Sequence, residues 1–540
     1  MRSLPVSNPY FLILSGSYVG DELIAEFGRI PPSMLPNGGK PLYEDQIKLA
    51  QSTGARILLA LPIDYEISPF DQRRFTELGV TIIRTLAEGD SIDSLRACLD
   101  ATEGEGAAYV LFGDTLIKDF STWSTDSFAV GTIRHTASWG EYVQQGSDAV
   151  FRMLDAHKAL EGEIIAGAFL FESLECLRKA VHADSFINAL ADYNATRRLS
   201  AIQDPSWLDF GHLFTYHQSR CRELLARSFN SVKSDGFSVV KTGTPSRKIY
   251  AEAMWFQNLP RALDSYTPRY MGFKSENPIA YELEYLHFPL ISELYCFSSL
   301  PEASWQTMIG SCVNFLEAMQ DIRPKDFEVP AHYPKLFFDD IIALKTRQRL
   351  ETFGKSHGLD LDREWTVDGK PYLSLRGLAD QLIQMVKPSQ AADISMWHGD
   401  FHFANIFYDF RSNRVRVVDP RGMLSNGMLT QFGDARYDIA KLGHSIYGMY
   451  DFLIAGRYSL NYDRRYDISL CFGEDSHRQR VMDIYSELQI GRYATTSSET
   501  VALVALLFLS MLPLHDHGSK RQMAMLANAF RLSKMAEMSR

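Results

Sequence analysis

The stretch Trp397–Asp409, WHGDFHFANIFYD, decides the fold of the second half of this chain. Asp400 and Asn405 stand in D-x-x-x-x-N spacing, and 14 residues after Asn405 the run VVDPRG places Asp419 at the end of an apolar strand. In phosphoryl transfer, a carboxylate orients the attacking hydroxyl, while a carboxamide and a second carboxylate hold magnesium against the phosphates of ATP. The residue types and their spacing therefore predict a kinase site.

The segment HGDFHFANI resembles the catalytic loop of the aminoglycoside phosphotransferase and choline kinase group, whose pattern is H-G-D-x-x-x-x-N. The resemblance implies that Asp400 is the catalytic base and that Asn405 and Asp419 bind Mg²⁺. It also implies that His398 supports the loop. Further along, DARYDIA resembles the family's D-x-A helix start, in which Asp438 braces the catalytic loop.

Two charged residues upstream match the pair that grips the phosphates of ATP in kinases. Lys241 lies on the predicted strand FSVVKTG, 11 residues before Glu252 on the next predicted helix. Lys233 and Lys248 are alternatives for the lysine. The strand YELEYL comes where the adenine-binding hinge is expected, so the backbone of Glu284–Leu286 is predicted to bind the base of ATP.

The N-terminal part has a different pattern, in which strand-like and helix-like stretches alternate. This alternation predicts a mostly parallel sheet with covered faces. The predicted strands are Tyr10–Leu14, Ala55–Leu61, Val80–Arg84, Ala108–Phe112 and Ile164–Ser173, and the predicted helices between them include Leu42–Thr53 and Asp93–Thr102.

The run Ile30–Ile47, IPPSMLPNGGKPLYEDQI, is similar to the P-K-x-L-L-P-x-x-G-K-P-L-I-x-Y-Q run of sugar-phosphate nucleotidyltransferases. The resemblance implies a Rossmann-like sheet with a glycine-rich first loop, where backbone amides and a lysine bind phosphates. Lys40 matches the lysine of G-K-P. In the first loop, SGSYVGDELIAEFGR, Gly16 is retained but the usual arginine spacing is lost, so Arg29 is a candidate to substitute from a new position.

Two aspartates complete this resemblance. YVLFGDTLI resembles the family's metal-binding G-D at Asp114, and WLDFGHL resembles its later W-x-D-x-G-T at Asp209. Two aspartates on one Mg²⁺ would hold the α-phosphate of a nucleotide for attack by the substrate's own phosphate. EGDSIDSLRACL falls where the family's turn meets the base, so Gly89 and Ser91 are assigned to base binding.

Together these patterns predict two domains. The first is an α/β Rossmann-like nucleotidyltransferase domain over 1–222. The second is an α+β bilobal kinase-like domain over 228–540, with a small lobe over 228–290 and a helical lobe over 291–540. After Pro301 the pattern is helical almost throughout, apart from the segment around Trp397–Val418.

The amino-acid composition limits which partners and which location are expected for the protein. The 540 residues carry a net charge of −11, which makes nucleic acid an unfavourable partner. The most apolar run, Val501–Pro513, is too short to span a bilayer and is expected to be a core helix. The apolar N-terminal run reads as a first buried strand rather than a signal peptide, and none of the six cysteines forms a CxxC pair, so a cytoplasmic location is expected.

The sequence therefore predicts a bifunctional enzyme. The kinase would phosphorylate a small alcohol or sugar with ATP, and the transferase would couple that phosphate to a nucleotidyl group from CTP or UTP. The resemblance suggests that the product is a precursor of a bacterial capsule. The altered first loop leaves open a kinase whose N-terminal module binds nucleotide without catalysis. A non-catalytic assembly protein is disfavoured, because Asp400, Asn405 and Asp419 are all present.

Overall fold

The computed structural model describes residues 9–131, 139–145, 148–154, 162–204, 206–227, 232–275, 278–325, 328–515 and 519–539. The chain divides into two compact units. The first comprises Met1–Arg220 with Phe297–Ser299, and the second comprises Cys221–Cys296 with Leu300–Arg540. Residue 228, where the second domain is predicted to begin, lies outside the described residues.

The first unit is α/β. Its strands are β1 (Tyr10–Leu14), β2 (Arg56–Pro62), β3 (Val80–Thr85), β4 (Ala108–Phe112), β5 (Thr115–Leu116), β6 (Ser127–Gly131), β7 (Trp139–Gln145), β8 (Asp148–Leu154), β9 (Glu163–Phe171), β10 (Ser200–Gln203) and β11 (Leu208–Asp209). Its helices are α1 (Asp21–Phe27), α2 (Tyr43–Ser52), α3 (Pro69–Glu77), α4 (Ser91–Asp100), α5 (Leu174–Ala180), α6 (Phe186–Thr196) and the start of α7 (Leu213–Arg227).

Nine of these strands form one sheet, in the order β10-β6-β9-β4-β1-β2-β3 with the β7–β8 hairpin paired to β9. All five residues of β1 are buried, as expected for a central strand covered on both faces. The predicted mostly parallel arrangement is only partly right. The pairs β4-β1-β2-β3 and β10-β6 are parallel, but β9 runs antiparallel to β4, β6 and β7. A fully apolar strand such as β9 carries no sequence signal of its direction.

The second unit begins with an antiparallel sheet in the order β12-β13-β15-β14. Its elements are β12 (Val232–Ser234), β13 (Ser238–Thr242), α8 (Ser246–Gln257), β14 (Tyr270–Lys274) and β15 (Ala280–Glu284). The turn between β12 and β13 lies at Asp235-Gly236. The Asp235 carboxylate accepts hydrogen bonds from the amides of Phe237 and Ser238, and Gly236 has φ +87°.

The rest of this unit is mainly helical. Its helices are α9 (Ile291–Phe297), α10 (Glu302–Gln320), α11 (Tyr333–Phe337), α12 (Lys345–His357), α13 (Leu375–Met385), α14 (Ala435–Ile446), α15 (Tyr450–Ile454), α16 (Ser476–Ser486), α17 (Ser498–Met511) and α18 (Ser519–Met538). A π-helical turn, Phe338–Leu344, joins α11 to α12.

The prediction of an almost wholly helical C-terminal part is wrong in one region. β16 (Glu364–Val367) and β17 (Lys370–Ser374) pair with β22 (Ser459–Arg464) and β23 (Asp467–Cys471) in a four-stranded sheet. The remaining strands are short pairs: β18 (Ile394–Met396) with β21 (Phe432–Asp434), β19 (Ile406–Asp409) with β20 (Arg414–Val417), and β24 (Gln489–Ile490) with β25 (Tyr493–Ala494).

The apolar run predicted as a core helix is α17 with the turn that follows it. Ser498–His515 is the one stretch of the described chain that is long and apolar enough to cross a membrane, and 72% of it is buried inside the structure. It packs against α12, α13, α14 and α18. Its composition is thus that of a helix surrounded by other helices.

Candidate active sites

The loop after β18 carries Asp400, whose side chain is 34% exposed. One carboxylate oxygen, Oδ1, lies 2.8 Å from Lys441 Nζ. The other, Oδ2, accepts a hydrogen bond from Asn405 Nδ2 at 3.1 Å and lies 3.6 Å from His402 Nε2. Partial burial alone would raise the pKa of Asp400, but Lys441 and His402 hold it well below its usual range. Asp400 is therefore ionised. It can accept a hydrogen bond from a hydroxyl group and orient that group, but it is a weak base.

Helix α14 holds the loop that carries Asp400. The two carboxylate oxygens of Asp438 accept hydrogen bonds from the amides of His398 at 2.6 Å and Gly399 at 2.8 Å, which is the bracing contact expected for this residue. Burial raises the pKa of Asp438 to about 7, although these two amides lower it. Gly399 has φ +78°, and a Cβ there would lie 2.7 Å from Arg421 Cβ, so only glycine fits.

A second group of charges reaches the same loop from the small sheet. Lys241 Nζ on β13 lies 2.8 Å from Glu252 Oε2 on α8 and 2.7 Å from Asp419 Oδ1. Glu252 is fully buried, and Tyr281 Oη also donates to its Oε2 at 2.8 Å. Burial opposes the charge of Lys241, but Asp419 and Glu252 outweigh it and raise the pKa of the lysine. The sequence-predicted Lys241, Glu252 and Asp419 are thus brought together, whereas Lys233 and Lys248 are exposed.

The donor atoms at Asn405 and Asp419 fit a magnesium ion. Asn405 uses its amide nitrogen toward Asp400, and no described residue donates to its Oδ1. Asp419 offers a carboxylate whose only close cation is Lys241 among the described residues. Carboxylate and amide oxygens are ligands that Mg²⁺ prefers, and phosphates and water complete its shell.

The segment predicted to bind adenine, Glu284–Leu286, lies at the end of β15. The amide of Glu284 donates to the carbonyl of Arg269, and the amide of Tyr285 donates to the carbonyl of Phe237, both at 2.9 Å. These two amides already serve the sheet. The amide of Leu286 has no hydrogen bond to a described residue, so it is the donor left for a purine base.

In the first unit, Asp114 and Asp209 line one cavity of about 460 Å³. The register of the parallel strands places Ser15 beside Gly113, at the carboxyl ends of β1 and β4. Burial and, to a smaller extent, the nearby Asp209 raise the pKa of Asp114 to about 7. Thr215 Oγ1 donates to Asp209, and His212 Nδ1 lies 3.6 Å from the same carboxylate. Two carboxylates lining one cavity fit a divalent metal ion, and Asp114 has no ion pair with a cation among the described residues.

Not all of the other residues predicted for this site line the cavity. Ser91 lines the cavity at the start of α4, next to the capping residue Asp90. Gly89 precedes this cap and does not line the cavity. Its amide donates a hydrogen bond to the carbonyl of Leu86.

Gly16 and Lys40 also lie apart from the cavity walls. A Cβ at Gly16 would lie 2.3 Å from Thr85 Oγ1, so this glycine permits close packing. Lys40 forms an ion pair with Asp45. Arg29, the proposed substitute for the lost arginine, pairs with Asp64 at 2.9 Å.

No role follows from the sequence for three cations that lie near Asp400. Lys345 follows the π-helical turn, Arg421 follows Asp419, and Lys441 lies on α14. Spacing within the motif could have flagged Arg421 alone, because Lys345 and Lys441 come from separate helices whose approach depends on the tertiary fold.

No family model matches this chain, and no curated protein matches it. Solved structures do. A nucleoside-diphosphate-sugar pyrophosphorylase from Vibrio cholerae RC9 is 16% identical with a TM-score of 0.31, covering 39% of this chain and 99% of that chain. The inositol-1-phosphate CTP transferase of T. maritima is 11% identical with a TM-score of 0.31, covering 40% and 96%. An ADP-bound aminoglycoside phosphotransferase is 15% identical with a TM-score of 0.31, covering 59% and 97%. At these scores the function has to be judged from the residues themselves.

Proposed function

We propose that this chain is a bifunctional transferase. Its second unit phosphorylates a small alcohol or sugar with ATP, and its first unit transfers a nucleotidyl group from CTP or UTP to that phosphate. The observation that carries the proposal is the ion pair between Lys241 and Asp419, which brings β13 to the segment that holds Asp400, Asn405 and Asp419. A separate carboxylate pair lines a cavity in the first unit.

In the kinase step, the acceptor hydroxyl attacks the γ-phosphorus of ATP, and the bond to the β–γ bridging oxygen breaks. Asp400 holds the hydroxyl and receives its proton, and ADP leaves. Because the transition state is loose, orientation matters more than base strength, which suits a carboxylate of low pKa. Lys241 would bind the phosphates, and Mg²⁺ on Asn405 and Asp419 would neutralise the charge on the ATP phosphates.

In the second step, an oxygen of the acceptor phosphate attacks the α-phosphorus of the nucleotide, and pyrophosphate leaves. Asp114 and Asp209 would hold Mg²⁺ there, and Ser91 would contact the base. The product is an NDP-activated alcohol or sugar. Such a compound is a donor for glycosyl or alditol transfer, so we place the enzyme in the cytoplasm on a route to surface polysaccharide.

Two variants separate the two steps. The wild-type protein is incubated with ATP, CTP or UTP and a panel of alcohols and sugars, and products are measured by mass spectrometry. Asp400→Asn should abolish ADP formation but still release pyrophosphate when the acceptor phosphate is supplied. Asp114→Asn should form ADP and the acceptor phosphate but no pyrophosphate. Unchanged ADP formation by Asp400→Asn would overturn the kinase assignment, and wild-type ADP formation without pyrophosphate would overturn the transferase assignment.

One observation favours a second candidate, in which the first unit binds nucleotide without catalysis. The two cations nearest the predicted phosphate loop already have carboxylate partners, Arg29 with Asp64 and Lys40 with Asp45. In that case CTP or UTP with Mg²⁺ should raise the melting temperature of the wild type and not of Asp114→Asn, while no pyrophosphate forms. Pyrophosphate release above background excludes this candidate.

A further inference from the structure

Three cationic side chains meet at Tyr437, next to Asp400. Lys345 Nζ lies 3.3 Å from the Tyr437 hydroxyl. Arg421 Cζ lies 5.8 Å from the centroid of the Tyr437 ring and 5.8 Å from that of Trp397. Lys441 follows Tyr437 by one helical turn on α14, which places both on one face of the helix. Lys345 and Arg421 thus contact Tyr437, and Lys441 lies one helical turn from it.

This group lacks the carboxylates that would neutralise it. Lys345 and Lys441 are buried, and a buried charge is costly without a partner. Only Lys441 has a carboxylate within 4 Å among the described residues, and that carboxylate is Asp400. Burial lowers the pKa of Lys345 well below its usual range, and Arg421 lowers it further. An anion bound here would offset both the burial of Lys345 and the repulsion between Lys345 and Arg421.

The group and the candidate ATP-binding residues contact different parts of the site. Asn405 and His402 lie on the Oδ2 side of Asp400, whereas Lys441 lies on the Oδ1 side. Lys241, the candidate ligand of the ATP phosphates, pairs with Asp419. Lys441 thus contacts the carboxylate oxygen of Asp400 that Asn405 does not contact, and we take this as the side from which the acceptor hydroxyl approaches.

The helix that carries Lys345 is built unusually at this point. A π-helical turn over Phe338–Leu344 ends at the residue before it. Such turns change the direction in which the side chains of the following residues point, and they are frequent at functional sites. Here the residue that follows is a buried lysine aimed at Tyr437 rather than an apolar side chain.

We propose that Lys345, Arg421 and Lys441 form an anion subsite that selects acceptors already carrying a negatively charged oxygen group, a carboxylate or a phosphate, beside the hydroxyl to be phosphorylated. The proposal rests on the kinase activity proposed above and names its substrate class. The guanidinium of Arg421 offers a planar pair of donors to such a group, and Lys345 supplies a point charge. A cationic amino alcohol would be repelled from the same place.

A binding measurement tests the subsite without requiring turnover. The melting temperature of the full chain is followed with D-glycerate, with glycerol 3-phosphate and with neutral glycerol. Glycerate or glycerol 3-phosphate should raise the melting temperature of the wild type, and glycerol should not. The shift should disappear in Lys345→Met and in Arg421→Gln. Arg347→Gln is the matched control, because this exposed neighbour on α12 pairs with Asp380 and lies outside the subsite.

Lys345→Met also separates binding from folding. Replacing a buried lysine that has no carboxylate partner among the described residues by an apolar chain of similar length should leave the melting temperature unchanged or higher without ligand. In the ADP assay, the same variant should raise KM for the anionic acceptor about tenfold or more, with KM for ATP changed less than about twofold.

The outcomes distinguish the two proposals. ADP formation preferring glycerol or ethanolamine over both anions would overturn the subsite and leave the kinase standing. A rise in KM for ATP alone would also overturn it. Anion-dependent stabilisation that the two variants abolish, without ADP from any alcohol, would support the subsite and overturn the kinase. Preference for glycerate or for glycerol 3-phosphate decides between a carboxylate and a phosphate ligand.

Discussion

Lys241 Nζ lies 2.7 Å from Oδ1 of Asp419, although 178 positions separate the two residues in sequence. In the proposed ATP complex the lysine would bind phosphate oxygens instead, while Glu252 keeps it in place. Lys241→Met should therefore raise KM for ATP about tenfold or more, because a charge-assisted contact to phosphate is lost. Steady-state ADP formation at varied ATP concentration measures this.

Lys248→Met provides the comparison. Lys248 Nζ lies 3.7 Å from the other oxygen of Glu252, and its side chain is 59% exposed. Its loss should change KM for ATP much less, because an exposed ion pair contributes little. A larger effect of Lys248→Met than of Lys241→Met would assign the ATP lysine to Lys248.

Asp438→Asn should lower kcat about 10- to 100-fold. An asparagine has one carbonyl oxygen, so it cannot accept from the amides of both His398 and Gly399. The loop that carries Asp400 would lose a constraint, and small misplacements of a catalytic group are costly. The measurement is kcat together with the melting temperature. An unchanged kcat would show that the loop is held by its other contacts.

The stability of the second unit should fall in mild acid because of His398. Burial lowers the pKa of this fully buried histidine to about 4, more than the carboxylates of Asp400 and Asp419 raise it. In the unfolded chain its pKa is about 6.5, so between these values the unfolded state binds more protons. The free energy of unfolding should therefore drop by up to about 3 kcal/mol as pH falls from about 6.5 to about 4.

Urea unfolding of the wild type and of His398→Asn across this pH range isolates the contribution. The asparagine can still accept the hydrogen bond that the Asp400 amide makes to His398 Nδ1 at 3.3 Å. The variant should show a shallower pH dependence than the wild type. Identical slopes would mean that another group, such as the buried His444, causes the acid sensitivity.

Gly211→Ala should impair the transferase step selectively. A Cβ at this position would lie 2.4 Å from Asp114 Oδ2, so the carboxylate would have to move. Pyrophosphate release should drop roughly tenfold or more, since a misplaced metal ligand weakens the site, while ADP formation stays unchanged. Gly310→Ala, in a helix with no atom within 4 Å of the added carbon, is the control and should affect neither product.

Much of the local structure follows from the sequence. The predicted strands Tyr10–Leu14 and Ala108–Phe112 coincide with β1 and β4. Lys241 and Glu252 could be paired because a strand and the next helix are neighbours in the chain, and they do form a hydrogen bond. In these cases the contact depends on short-range spacing.

The remaining features depend on long-range pairing. The sheet of β16, β17, β22 and β23 joins segments about ninety residues apart, and its strands are short and mixed in polarity. The anion subsite joins Lys345 with Lys441 from separate helices. The amides of Glu284 and Tyr285 were predicted to bind adenine, but their use within the sheet is visible only once their partners are placed.

α14 contributes to more than one part of the proposed kinase site. Asp438 holds the catalytic loop, Lys441 pairs with the base, and Ser445 Oγ accepts the amide of Phe403 at 3.0 Å. Mutations in this helix that change which acceptor is preferred would thus also affect Asp400. Among the described residues, no hydrogen bond or ion pair joins the side chains of Lys345 and Arg421 to Asp438 or Ser445, so they are the positions at which a new acceptor could be engineered while the loop of Asp400 keeps its support.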